Sequence, residues 1–571
     1  DSSVDPSVVS FVQSKLKGCS SHSNCQQAIT QLPNLARWPA RMVEILKETI
    51  RVVKFDANKM SGEFAALSYC WGSQEELMRK PPYLMTSSTM SELTSKAGVS
   101  MDKMPLTLQH AFTLCKLLGI GYIWIDALCI LQAQDKNDIR AKNDWEIEST
   151  KMEVVYSKSK LTIIAAAGTS CHSGFLPFGS YNGVTVLDSI QSLLPPGLQA
   201  ICQEGNNPSE FHFDSARYRS SDGDAITMRA WAYQEEILSS RYIKFSNRDV
   251  QWKCYELTEC MCGDRVSEEY MAQWGRSGRS SLDPFLRWTV MVSSYFGKYD
   301  SLSTDKLVAI SGLARMLEPT LELYATSIRY HAGIWECASQ DAAVYQLCWE
   351  SSAGIHTPGV QDTYIAPSFS WASLDANPRN HIGWHKSIEP AMESICRITN
   401  INTTLVREED IFGRASAGYI TIQGQVRECF IWWNPSTYQP EGFKLHLEPM
   451  KDNFLRIESP RRDIRPDCFL SQFKLDSETT SVQRSGSESA FGRTGAKVVL
   501  LGYTRYGEGL NVIGLLIAPQ IIKYHGINDR RARVGYQRIG MVRYKYGADW
   551  RFTPTEEDIK HWGTEEEVTI F

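Results

Sequence analysis

Two short apolar runs, separated by one helix-length segment, constrain this chain more than anything else in it. Residues Phe64 to Gly72 read FAALSYCWG, and Ile120 to Gln132 read IGYIWIDALCILQ. Each begins as a buried strand. Each ends on residues a buried strand does not need: Ser68, Tyr69, Cys70 and Trp71 in the first, Asp126 and Cys129 in the second. Between them, Leu106, Leu108, Ala111, Phe112, Cys115 and Leu118 fall at close to helical spacing behind Pro105, a residue suited to a first turn. Strand, helix, strand predicts a parallel pair joined by a right-handed crossover. In open α/β sheets ligands bind beyond the carboxyl ends of the strands, where Tyr69, Trp71 and Asp126 fall.

The alternation continues. Trp145, Ile147, Met152, Val155 and Tyr156 make a helical stripe, and LTIIAAAGTS follows as another buried strand. The spacing therefore predicts a doubly wound, mostly parallel α/β sheet with Phe64–Ser68, Gly121–Asp126 and Leu161–Ala166 as adjacent strands. Ahead of it, residues 1–60 read as a lead-in, helical at VVSFVQSKLKGC and strand-like at MVEIL and TIRVVKF. The sheet domain is expected over 61–262, with a loop-rich stretch at 171–228 that holds a candidate strand, GVTVLDSI. Near its end, MRAWAYQEEILSSRYIKFSNRDVQWKC predicts a helix through Leu238 and then two strands. Helical patterns dominate 263–362, YHAGIWECASQDAAVYQLCWE among them. Short alternating runs over 363–571 predict an antiparallel β-rich region, interrupted by a polar, exposed insertion near 457–497.

A chain of 571 residues is too long for one core, so several domains are expected. Its 60 basic and 65 acidic residues give no electrostatic argument for nucleic acid. No run approaches the roughly 20 apolar residues of a membrane helix, and no charged-then-apolar leader opens the chain. Fifteen cysteines, an odd number in apolar settings, read as reduced thiols and predict a cytoplasmic protein. Cys19, His22 and Cys25 have ligand chemistry but no second clustered pair. Cys254, Cys260 and Cys262 have neither a nearby His nor a fourth cysteine. Both groups are expected to be thiols without a metal.

Trp231 and Glu235 stand four residues apart and so share one helix face. Asp126 ends a buried run, where a carboxylate must be hydrogen-bonded or poised in a cleft. Cys70 and Cys129 are alternative nucleophiles, though neither has a histidine beside it in sequence. Arg229, two residues before Trp231, either pairs within the fold or reaches a phosphate.

ALSYCWG, WIDALCILQ and RAWAYQE resemble, in order, the three motif blocks of the fungal heterokaryon-incompatibility (HET) domain. SFSWASLD and YQRIGMVRY are similar to segments found downstream of it. That domain in turn looks like a relative of the Toll/interleukin-receptor (TIR) fold: Ser68-Tyr69 resembles its strand-ending Ser-aromatic pair, and Trp231 to Glu235 its W-x-x-x-E helix. The resemblance implies a fungal self/non-self recognition and cell-death protein with a TIR-like sheet. It further implies a nucleotide-like ligand held near Ser68, Tyr69, Trp71, Gly72, Arg229 and Trp231, with Glu235 as catalytic residue and Asp126 beside it. NAD is then a substrate, no cofactor is required, and an incompatibility partner or a second copy is the expected protein partner. Two other functions stay open: a non-enzymatic oligomerising module, and a small-molecule enzyme using Cys70 or Cys129.

Overall fold

The computed structural model describes residues 4–26, 37–135, 137–176, 224–246, 250–261, 283–296, 298, 303–351, 364–374, 382–384, 392–433, 444–447, 461–466, 480–484, 490–506, 509–521, 534–546, 559 and 561–571. The candidate strand GVTVLDSI, Cys262 and most of the polar insertion lie outside these residues. The chain divides into two compact units, Asp1–Ser281 and Leu282–Phe571.

The first unit is built on a nine-stranded sheet. Its strands are β1 (Arg41–Ile45), β2 (Thr49–Lys54), β3 (Phe64–Tyr69), β4 (Val99–Ser100), β5 (Tyr122–Trp124), β6 (Leu161–Ala165), β7 (Arg241–Phe245), β8 (Val250–Cys254) and β9 (Thr258–Cys260). They are ordered β4-β2-β1-β5-β3-β6-β7-β8-β9. The expected parallel sheet is its centre: β5, β3, β6 and β7 run parallel, with Ala65 opposite Ile123 on one side and Leu161 on the other. Antiparallel strands extend it on both flanks. Two of them, β1 and β2, come from the stretch expected as a separate lead-in.

Burial explains why the centre is parallel. Every residue of β3 and β6 is buried, as befits strands covered by helices on both faces. The Leu106–Leu117 helix makes the first crossover, burying Leu108, Ala111, Phe112, Leu114 and Cys115. It stops at Gly119, whose φ of +69° only glycine adopts at little cost, and Ile120 N–H closes the end on Cys115 O at 2.8 Å. The next crossover uses helices Ile139–Glu148 and Met152–Lys158, and the last uses Ala230–Leu238. In chain order the parallel strands read 2-1-3-4, so the direction of winding reverses between β3 and β6. Such a reversal opens a crevice at the carboxyl ends of those two strands.

The second unit begins with helices Pro284–Phe296 and Val308–Tyr324. The helical pattern expected further on is kept at Gln340–Tyr345 but not ahead of it, where YHAGIWE folds as a hairpin, Arg329–His331 against Ile334–Glu336. The reason is its two-residue turn, Ala332 and Gly333 at φ of 48° and 99°, with Trp288 and Trp371 both donating to Gly333 O. The antiparallel β-rich region is present, and five of its strands close into a barrel: Ala415–Trp433, Ala490–Tyr506, Gly509–Ile521, Val534–Tyr546 and Thr564–Ile570. Strands Arg461–Pro466 and Thr480–Arg484, from the segment expected as an exposed insertion, pair onto it. No described helix is long and apolar enough to cross a membrane.

Candidate functional site

Ser68 and Tyr69 are the last two residues of β3, at the crevice where winding reverses. Asp126 opens the single helical turn that follows β5, the neighbour of β3. Trp71 leaves β3 by two residues, and its Nε1 donates to Asp126 Oδ2 at 2.8 Å. Asp126 Oδ1 accepts from the N–H of Ala127 at 2.7 Å. The Tyr69 ring lies beside the same carboxylate, and burial together with that negative charge pushes the Tyr69 hydroxyl pKa well up. Burial also raises the Asp126 carboxyl, against the opposing pull of the Trp71 bond.

The Ala230–Leu238 helix brings the second carboxylate. Glu235 keeps some solvent contact along its length while its carboxyl end sits among protein groups, and burial raises its pKa to about 7. Ser68 and Arg229 hold that value down and the charge of Asp126 holds it up. The Ser68 hydroxyl is buried beside Glu235 but closes no hydrogen bond within 3.5 Å. Tyr156, from the preceding crossover, lies alongside and donates to Leu67 O at 3.2 Å. Arg229 reaches back from the helix start to the Tyr69 carbonyl. Two acids, one guanidinium and two phenols therefore meet at one edge of the sheet. A carboxyl with a pKa near neutrality exchanges a proton readily at physiological pH.

Beside the cluster a crease of about 200 Å³, much of it open to solvent, is lined by Tyr69, Trp71, Tyr83, Leu84, Ala127 and Cys171 among others. It has no enclosed space for a bound water. Pro82, Tyr83 and Leu84 supply part of its lining.

Other residues singled out from sequence take different places. Trp231 packs edge to face on Trp145, ring centroids 6.0 Å apart. Gly72 sits at φ +111°, and a Cβ there would stand 2.8 Å from the Ser170 Cβ, so its glycine is required by packing against the 170–173 loop. Cys70 and Cys129 are buried. Burial raises the Cys70 pKa and pushes Cys129 to about 12, which leaves neither as a ready thiolate.

One grouping was visible from sequence only in part, as Cys19, His22 and Cys25 without a fourth donor. Cys19 ends the Pro6–Cys19 helix, His22 and Cys25 follow in the next turn, and Cys254 is the last residue of β8. Their sulfur and nitrogen atoms all lie within 4.8 Å of one another. The fourth member was invisible because it is distant in sequence: 232 residues separate His22 from Cys254.

The family model described as Heterokaryon incompatibility protein (HET) matches residues 64–235. That span opens on the first residue of β3 and closes on Glu235. No curated protein and no solved structure matches the chain.

Proposed function

The chain carries a heterokaryon-incompatibility domain across residues 64–235, and from that premise we propose that its carboxylate cluster binds a nucleotide and cleaves NAD at the nicotinamide–ribose bond. The observation that carries this reading is the meeting of Glu235, Asp126 and Arg229 at the carboxyl end of β3, where winding reverses. In the reaction the bond from ribose C1′ to the nicotinamide nitrogen breaks, and its electron pair neutralises the departing ring. The ribose becomes oxocarbenium-like, and ionised Glu235 stabilises that charge. Water adds at C1′ and releases a proton, giving ADP-ribose and nicotinamide. Arg229 is the group for a phosphate. The TIR-like resemblance of Ser68-Tyr69 and Trp231-to-Glu235 supports the same chemistry by analogy. In a fungal cell, depletion of NAD would link incompatibility to cell death.

Purified full-length protein incubated with NAD should release nicotinamide, and Glu235→Gln should abolish the release while keeping the far-UV circular dichroism spectrum. Equal turnover by the parent and the Gln variant would remove Glu235 from the chemistry. One observation favours a second reading, a non-enzymatic assembly module: the crease beside the cluster holds no ligand-sized space. Concentration-dependent assembly with no nicotinamide release from the parent would establish that reading instead.

A further inference from the structure

We infer that Cys19, His22, Cys25 and Cys254 form a structural zinc site that fastens the end of the first helix to the end of β8. The donor set is three thiols and one imidazole, the Cys₃His combination of closed tetrahedral zinc centres. The spacing Cys-x₂-His-x₂-Cys supplies three donors from one turn of chain, and the antiparallel flank of the sheet supplies the fourth.

The distances fit a tetrahedron. With Zn–S near 2.3 Å and Zn–N near 2.0–2.1 Å, a nitrogen and a sulfur on the same tetrahedral zinc stand about 3.6 Å apart. His22 Nδ1 lies 3.7 Å from Cys25 Sγ and 3.5 Å from Cys254 Sγ. All four donor atoms stay within 4.8 Å of one another. Cys19, Cys25 and Cys254 are buried and His22 is half-buried, so the centre is closed to substrate.

Cys19, Cys25 and Cys254 bring three sulfurs to one point. Three crowded thiols cannot all ionise by themselves, and a divalent cation at their centre removes that conflict. Zinc is the metal for this geometry because a tetrahedral sulfur-rich set with no open position matches its preference.

Other contacts draw the same pieces together. Lys15 pairs with Glu259 on β9, and Asn24 N–H donates to Glu256 Oε2 at 3.2 Å. Both are minor beside a metal. The proposed site is remote in kind from the Glu235 cluster: it builds the domain and does no chemistry in it.

The test uses the full chain purified without chelator, its metal content measured by mass spectrometry of the elements. The expected content is about one zinc per chain, the stoichiometry of a closed four-ligand site. Cys254→Ser and His22→Ala should lose it. Cobalt exchanged for zinc should give the strong visible bands and the sulfur-to-metal charge-transfer band of a tetrahedral thiolate site. If the serine variant fails to fold, His22→Cys is the second arm: it should keep the metal and shift the cobalt spectrum toward a four-thiolate pattern. Removing the metal with a chelator should lower the melting temperature of the parent and leave Cys254→Ser unchanged. Parent protein grown and purified with zinc present, yet holding no more of it than Cys254→Ser, would overturn the proposal. So would a disulfide-linked peptide joining two of Cys19, Cys25 and Cys254 in place of metal.

Discussion

The indole of Trp71 donates to the carboxylate of Asp126 at 2.8 Å, joining the chain that leaves β3 to the turn that leaves β5. Because burial disfavours the Asp126 charge, this bond is one of the groups that keep it tolerable there. Trp71→Phe keeps most of the ring and removes only the donor. The expected cost is about 1–3 kcal/mol, the range for leaving a buried charged acceptor short of a partner. Urea denaturation of parent and variant at pH 7 measures it; an unchanged midpoint would mean the bond contributes nothing.

Glu235 gives a prediction whose sign follows from its raised pKa. Its folded value of about 7 exceeds its reference of 4.5, so the folded protein prefers the protonated acid. The associated stability is complete below about pH 4.5, declines as pH rises, and is lost above about 7. Glu235→Gln removes the charge at nearly constant shape. At pH 8 the variant should be more stable than the parent by about 1–3 kcal/mol, discounted for the residue's partial exposure, and the gap should close below pH 4.5. Any NAD cleavage should rise through pH 7 in the parent, since the ionised form is the one that stabilises a developing cation. A Gln variant less stable than the parent at pH 8 would contradict the burial of this carboxyl.

Gly72 tests the packing of the loop behind the site. Gly72→Ala forces a Cβ to 2.8 Å from Ser170 Cβ at a φ of +111°. The expected loss is about 2–4 kcal/mol, combining backbone strain with overpacking. Thermal melts should show it. Paired substitution with Ser170→Gly should restore only the packing share, because the strained φ remains.

Arg538 is the corresponding test in the second unit. It is buried, lies over the Trp349 ring at 3.2 Å, and donates to the carbonyls of Leu347 and Trp349. Arg538→Met fills part of the volume but leaves both carbonyls short of a donor. A loss of about 2–4 kcal/mol is expected in chemical denaturation, and Arg538→Lys should recover less than half, because an ammonium neither stacks nor forks.

What the sequence disclosed follows from what kind of information it carries. The parallel centre was legible because β3 and β6 are buried on both faces and therefore read as unbroken apolar runs. Ser68, Tyr69, Trp71 and Asp126 stood out because they interrupt or end such runs where an apolar residue would serve the fold better. The hairpin at Arg329–Glu336 was hidden: Tyr330 and Ile334 stand four apart, a helical spacing, and one of its two turn residues is alanine, which carries no turn signal. The surroundings of Trp231 were equally beyond local pattern. Spacing puts it on one face with Glu235, but only packing decides that its ring goes to Trp145. Cys254 was grouped with Cys260 and Cys262 instead, since nothing local shows that it meets three donors from the far end of the chain.

Among the described residues, the nine-stranded sheet terminates at both edges in very short strands, Val99–Ser100 on one side and Thr258–Cys260 on the other. An edge of two or three residues offers too few free backbone groups to template a further chain. The cover is partial on the first side, because Val99–Ser100 pairs only with Thr49 and Ile50 while β2 runs on to Lys54; strand addition is disfavoured where the short strands cap the sheet. An assembly built away from those caps would rest on side chains of the helices and loops, which a point substitution can undo.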